Sequence, residues 1–433
     1  MSRPVEATPG VPSARRPAGR PHGGAARTAL CQAMIMAVAA LMPPATGADP
    51  DAAPAEAWPM ARGSLAGTGR SATRLAFPLA EAWRRDFGGT AFSAVPVVAD
   101  GVIYLGDLDG TFRALDLITG DTRWTRRIEE AGFPSAAAVA ADPALPLVVG
   151  DDLGMVRGLD RQTGEVVWEF ATEGEISGGP TVLETAAEPA ALIGSQDATL
   201  TCLDIATGAK RWQHAIADQI RCSPTVARTE AGDRIFLAGC DGRLHVIDAA
   251  SGGEVAAVEI GGPTGTTPAV SGDRVLFGTE AGAFFAIDFL APAVAWRRQP
   301  AAGGAAYRSS AAVAEGLAIV GTRGRAVEAL AVADGERRWR HPMRGRVDAS
   351  PAVVTATIGG TNPAPPAPPA RSVAIVADAR GEIAALDVAS GEAVWEFAAG
   401  GGFGAGAAVA AGRVVLASDD GTVWCFRSAQ AAD

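Results

Sequence analysis

Short apolar runs and polar turns alternate along most of this chain, too closely spaced for helices. The stretch from Val102 to Trp124 shows the unit: VIYLG, DLDG, TFRALD, then LITGDTRW. Val102–Gly106 is apolar and β-branched, as a strand buried on both faces requires. AspLeuAspGly (107–110) predicts a tight hairpin turn, with Gly110 taking the positive φ. TFRALD is the next strand, and its Asp ends it. A Thr-Gly turn follows, then a further strand carrying Trp124.

The unit repeats. Aligned on that Asp, the copies end at Asp116, Asp160, Asp204, Asp248, Asp288, Ala331, Asp387 and Arg427. The first four are 44 residues apart, and a period of about 40–45 residues with several short strands per unit marks propeller blades. The one long spacing holds GGTNPAPPAPPAR, which reads as a Pro-rich surface loop.

Two residues before the alignment point the side chain is small in every copy: Ala114, Gly158, Cys202, Val246, Ala286, Ala329, Ala385 and Cys425. One residue before it the side chain is large: Leu115, Leu159, Leu203, Ile247, Ile287, Leu330, Leu386 and Phe426. Neighbours in a strand face opposite ways. Both faces are therefore buried, as in a sheet stacked between two others. The recurring Asp is expected to cap its turn by accepting backbone N–H groups. Gly120, Gly164, Gly208, Gly252, Gly335 and Gly391 complete the turns, and Pro292 breaks the rule. Trp124, Trp168, Trp212, Trp296, Trp339 and Trp395 follow at a fixed offset, with Ala256 the one gap. Indoles at one repeat position are expected to pack between blades.

An inner strand opens several units: ValProValVal (95–98), SerProThrVal (223–226), ThrProAlaVal (267–270) and SerProAlaVal (350–353). Proline is tolerated on an edge strand, which the innermost strand of a blade is. The last unit stops without its outer strand, whereas Trp83 stands one period before Trp124 with no unit ahead of it. These features predict an all-β fold: an eight-bladed β-propeller with four-stranded antiparallel blades, the last closed by the N-terminal strand.

The first residues differ in composition. Arg3, Arg15, Arg16, Arg20 and Arg27 precede an apolar run from Ala29 to Met42. We read 1–48 as a secretory signal, because the run falls short of the ~20 residues that span a bilayer. Cys31 follows Leu30, where a lipoprotein signal wants a small residue, so a lipid anchor there is disfavoured. The remainder is 49–74, an irregular leader expected on the propeller surface, and 75–433, the propeller.

The chain is acidic, with a formal net charge of −11. It has no basic runs, which argues against nucleic acid and anionic lipid as partners. Five cysteines include no CxxC. Cys222 and Cys240 flank a predicted hairpin and could bridge across it, but buried free thiols are the favoured reading. His214, His245 and His341 fall on blade strands and are read as structural, so no metal ligand and no catalytic residue is expected. Arg344 and Arg346 are read as solvated rather than as a site for an acidic partner. No GxSxG, P-loop or zincin motif is present.

The ALDxxTGxxxW repeat resembles the pyrroloquinoline-quinone (PQQ) type of propeller repeat, over about residues 75–427. That resemblance embraces exported quinoprotein dehydrogenases and BamB-like outer-membrane assembly factors. The WPMARGxxxxTG leader is similar to one found in the second, non-enzymatic group. The dehydrogenases bind PQQ and Ca²⁺ on the axis and usually carry adjacent cysteines, which this chain lacks. The resemblance therefore implies an exported, periplasmic or envelope-associated monomer that binds protein partners, with an outer-membrane assembly complex the most concrete of these, and needs no cofactor. A small PQQ- and Ca²⁺-dependent dehydrogenase, or a ligand- or polysaccharide-binding propeller, is the alternative.

Overall fold

Each repeat folds as its alternation dictates. In blade 1, Val97–Ala99, Val102–Gly106, Thr111–Asp116 and Thr122–Arg127 pair antiparallel in chain order, from the axis to the rim. The computed structural model describes residues 51–184, 188–299, 305–359 and 369–429. The chain divides into two units, Met1–Thr46 and Gly47–Asp433, and only the second is described. The secretory signal over 1–48, Cys31 and most of the Pro-rich insertion lie outside the described residues.

Eight small sheets form the propeller, and every element among the described residues is a strand. Blade 2 runs through Leu147–Gly150, Met155–Leu159 and Val166–Ala171, its inner strand reduced to a bridge between Ala138 and Val148. Blade 3 spans Thr181–Leu183 to Lys210–Ala215, blade 4 Thr225–Thr229 to Glu254–Glu259, and blade 5 Ala269–Ser271 to Ala293–Arg298. Blade 6 spans Ala312–Ala314 to Arg337–Pro342, and blade 7 Ala352–Ile358 to Ala393–Ala398. Blade 8 has Ala408–Ala410, Arg413–Ala417 and Thr422–Ser428, and its outermost strand is Leu79–Asp86, paired with Thr422–Ser428. Trp83 lies opposite Cys425. The ring thus closes with the expected N-terminal strand.

Both faces of the third strand are buried: Ala114, Leu115, Cys202 and Leu203 are each almost fully enclosed. The rim tryptophans lock blade to blade. Trp124 donates its indole N–H to the carbonyl of Arg161 in blade 2 at 3.0 Å. The same bond runs from Trp168 to Ile205, Trp212 to Ala249, Trp296 to Val332 and Trp339 to Val388. Trp395 donates to Leu79, and Trp83 to Leu117 of blade 1, so every seam but that between blades 4 and 5 carries one. All of these indoles but Trp395 lie on the next blade's turn glycine. At Gly164, where φ is +74°, a Cβ would stand 2.5 Å from Trp124. The glycine is needed both for the turn and for the indole.

The recurring carboxylates cap their turns. Asp116 accepts from the N–H groups of Ile118 and Thr119 at 2.9 Å each, and its second oxygen takes Arg123 at 2.8 Å. Asp204, Asp248 and Asp288 repeat this with Arg211, Arg234 and Arg274. Cys202, Cys222, Cys240 and Cys425 are free thiols. Burial pushes Cys202 up to about 11 and Cys222 and Cys425 up to about 12, so these three are poor nucleophiles.

Candidate functional site

The axis of a propeller is where eight inner edges present unpaired backbone groups, and it is the natural place for a ligand. Here the leader enters it. Trp58 pairs with Val98 of blade 1 through two backbone bonds of 2.8 and 2.9 Å. The carbonyl of Pro59 then accepts from Val139, Leu65 from Val226, Ala66 from Val270, Thr68 from Val313 and Gly69 from Val353, at 2.7–2.9 Å. Ala55 accepts from Ala411 at 2.7 Å, and Ser71 Oγ donates to Val409 at 2.9 Å. Among the described residues, the leader therefore binds the inner strands of all blades but blade 3.

The donors share one repeat position. Val98, Val226, Val270 and Val353 each lie two residues after the inner-strand proline. That proline removes one N–H from the edge, and the leader satisfies the next one available. Ala61 comes within 3.3 Å of where a Cβ on Gly179, ahead of blade 3, would sit. From the neighbouring residue the Arg62 guanidinium reaches the carbonyls of Ala311 and Pro351, at 3.0 and 2.9 Å, before blades 6 and 7. It crosses the axis. Burial lowers its pKa to about 10. Trp58 is fully enclosed. The leader expected on the surface is thus an axial plug, and Arg70–Phe77 continues it as a parallel fifth strand on blade 7. The physical reason is the edge: eight inner strands need partners that only a non-repeating segment can supply.

Beneath the plug, on the face of the Asp-capped turns, lies a cleft of about 720 Å³. Met60, Ala66, Val139, Val182 and Val270 give it an apolar floor, and Arg161 and Arg228 stand at its margin. Arg161 pairs with Asp100 and donates to the carbonyl of Ala140.

The opposite mouth is polar and closely neutralised. Arg308 meets Glu280 at 3.0 Å. Arg323 grips Asp348 with two bonds of 3.0 Å, which raises its own pKa, and Arg346 meets the same carboxylate at 3.1 Å. Asp419 accepts from the N–H of Gly404 at 3.1 Å, and burial raises its pKa. Ca²⁺ wants several free oxygen ligands. Glu280 and Asp348 already face guanidinium groups, so the mouth does not fit the quinone-and-calcium arrangement, and no chemistry is derived through it. Arg221, Gly265, Arg308 and Asp348 hold equivalent positions in four successive inter-blade loops, and that register is a signal the sequence carries for this mouth.

The other singled-out residues are dispersed. Arg344 pairs with Glu382 at 3.3 Å. His341 Nδ1 lies 3.0 Å from the carbonyl of Gly391. His214 and His245 come together across the seam between blades 3 and 4, ring centroids 6.4 Å apart.

A family model described as outer membrane protein assembly factor BamB matches residues 69–155, 152–231, 228–358 and 346–432. Among solved structures, BamB from Moraxella catarrhalis is similar at 17% identity and TM-score 0.61, covering 81% of this chain and 98% of that one. Quinohemoprotein alcohol dehydrogenase from Comamonas testosteroni is similar at 15% identity and TM-score 0.68, covering 89% and 83%. The computationally designed Ika8 protein gives 16% identity and TM-score 0.60, covering 79% and 98%. These likenesses establish a common fold. No curated protein matches the chain. The matches to the family model run almost unbroken through the propeller, and the chain belongs to the BamB-like family of PQQ-type repeat propellers.

Proposed function

We propose that this protein is an exported, non-catalytic scaffold of the cell envelope that binds protein partners in outer-membrane protein assembly. The observation that carries this reading is the occupied axis: where a catalytic propeller would admit a cofactor, leader backbone and the Arg62 side chain fill the space. What remains for recognition is the outer surface and the cleft on the face of the Asp-capped turns. No helix among the described residues is long and apolar enough to cross a membrane.

On the face of the neutralised mouth, Leu108 and Leu153 occupy hairpin turns of adjacent blades and are 43% and 62% exposed. Neighbouring exposed leucines on rigid turns suit an apolar partner segment. Tagged protein is expected to co-purify with the barrel-assembly machinery from a native envelope, and Leu108→Asp with Leu153→Asp to lose at least about 90% of that capture at unchanged melting temperature. In parallel, purified protein given PQQ and Ca²⁺ is expected to reduce no dye with alcohol or sugar substrates. Dye reduction would replace the scaffold reading with a dehydrogenase.

A further inference from the structure

We infer that His214, His245 and Glu254 form a zinc site that clamps blade 3 to blade 4, with Asp241 orienting His245. Nothing in the scaffold reading requires it, and it stands on separate observations.

His214 lies on the outer strand Lys210–Ala215 of blade 3, two residues after Trp212. His245 lies on Arg243–Asp248 and Glu254 opens Glu254–Glu259, both in blade 4. One ligand atom from each of the three side chains falls within 4.8 Å of the others. Oε2 of Glu254 is 2.8 Å from Nδ1 of His245 and 3.7 Å from Nε2 of His214. Bonds of about 2.0–2.2 Å to a tetrahedral Zn²⁺ set ligand atoms roughly 3.4 Å apart, so small side-chain rotations suffice. Two imidazoles and one carboxylate suit zinc, whereas calcium and magnesium want oxygen alone.

Two further features point to a cation. Nε2 of His214 is buried and has no hydrogen-bond partner, an arrangement that a buried polar atom rarely keeps. The Nε2 of His245 lies 2.9 Å from Oδ2 of Asp241, whose side chain is 5% exposed. A ligating histidine usually gives its second N–H to a carboxylate in this way. His245 faces carboxylate oxygens on both sides. A zinc ion at Nδ1 would lie between this ring and Glu254, while the Nε2 side keeps Asp241. Glu254, 39% exposed, opens the site to solvent, which leaves a fourth position for water.

The test uses the purified full chain, stripped with a chelator. Zn²⁺ is titrated against a chromophoric competitor while melting is followed, and Co²⁺ is added separately as a spectroscopic probe. One Zn²⁺ per chain, a raised Tm and the visible absorption of four-coordinate Co²⁺ are expected. Glu254→Gln and His214→Gln are each expected to weaken uptake at least about tenfold, and Asp241→Asn by about 10–100-fold. His341→Gln, at the repeat position of His214, is expected to change nothing. Glu254 is exposed enough for its variant to fold, which its melting curve verifies. No stoichiometric uptake overturns the assignment. So does uptake that survives in Glu254→Gln and His214→Gln, or that disappears on thiol alkylation.

Discussion

The turn aspartates show how one side chain is held by several partners at once. The Arg123 guanidinium, and after it the N–H of Thr119, hold the Asp116 carboxyl at about 2 against its ordinary 3.8. The carboxyls of Asp160, Asp204, Asp248 and Asp288 are lowered too, led respectively by the Thr163 N–H, Arg211, the Ser251 hydroxyl and the Ala291 N–H. A group lowered on folding adds stability above its unfolded pKa and loses it as pH falls through the folded one. For Asp116 that window runs from 3.8 down to about 2. Melting temperature is therefore expected to drop over this range. Asp116→Asn should melt below the parent at neutral pH and converge with it near pH 2. The neutral-pH difference is at most about 1 kcal/mol, because the pair is open to water. Scanning calorimetry across the range checks this. The capping role was readable from the chain because an Asp before a Thr-Gly turn has few other uses. The pairing of His214 with His245 was not: they lie on different blades, and only their shared repeat grid, one on a rim strand and one on the third strand of the next blade, could have signalled it.

Between elements, the two exceptions in the repeat turn out to be one. Blade 4 has Ala256 where an indole belongs, and blade 5 has Pro292 where the receiving glycine belongs. These positions face each other across a single seam. An indole there would press on the proline ring, so losing both keeps the contact consistent. Phe289, which follows the capping Asp288, fills in by packing on Phe236 of blade 4 with ring centroids 4.9 Å apart. Ala256→Trp alone is expected to destabilise by about 1–3 kcal/mol through overpacking. Adding Pro292→Gly should recover at least about 1 kcal/mol, a coupling that a double-mutant cycle in denaturant measures. Read along the sequence, each exception looks like noise in its own unit. The rule linking them joins one repeat to the next and becomes visible only when the sheets are stacked. The strands, hairpin turns and sandwiched third strand were legible because they depend on local alternation alone.

At the scale of the whole ring, two non-repeating segments decide the architecture. Leu79–Asp86 covers the edge of Thr422–Ser428, and residues 55–71 cover the inner edges. Removing residues 1–86 would expose both sets of unpaired backbone groups, which invites strand addition from other chains. That variant is expected to elute as oligomers on size-exclusion chromatography and to lose its single sharp melt, whereas the full chain stays monomeric. The ring and its closure could be read from the period and from the orphaned Trp83. The plug could not, since a segment without repetition gives no register to align. Its bonds also impose an order on biosynthesis. Val353, Val409 and Ala411 leave the ribosome near the end, yet they engage Gly69, Ser71 and Ala55, which emerged long before. The earliest part of the protein must wait, unpartnered, for the latest. Acquisition of the native state is thus a delayed, long-range event, slow for a chain of this length and dependent on nothing else capturing those early residues first.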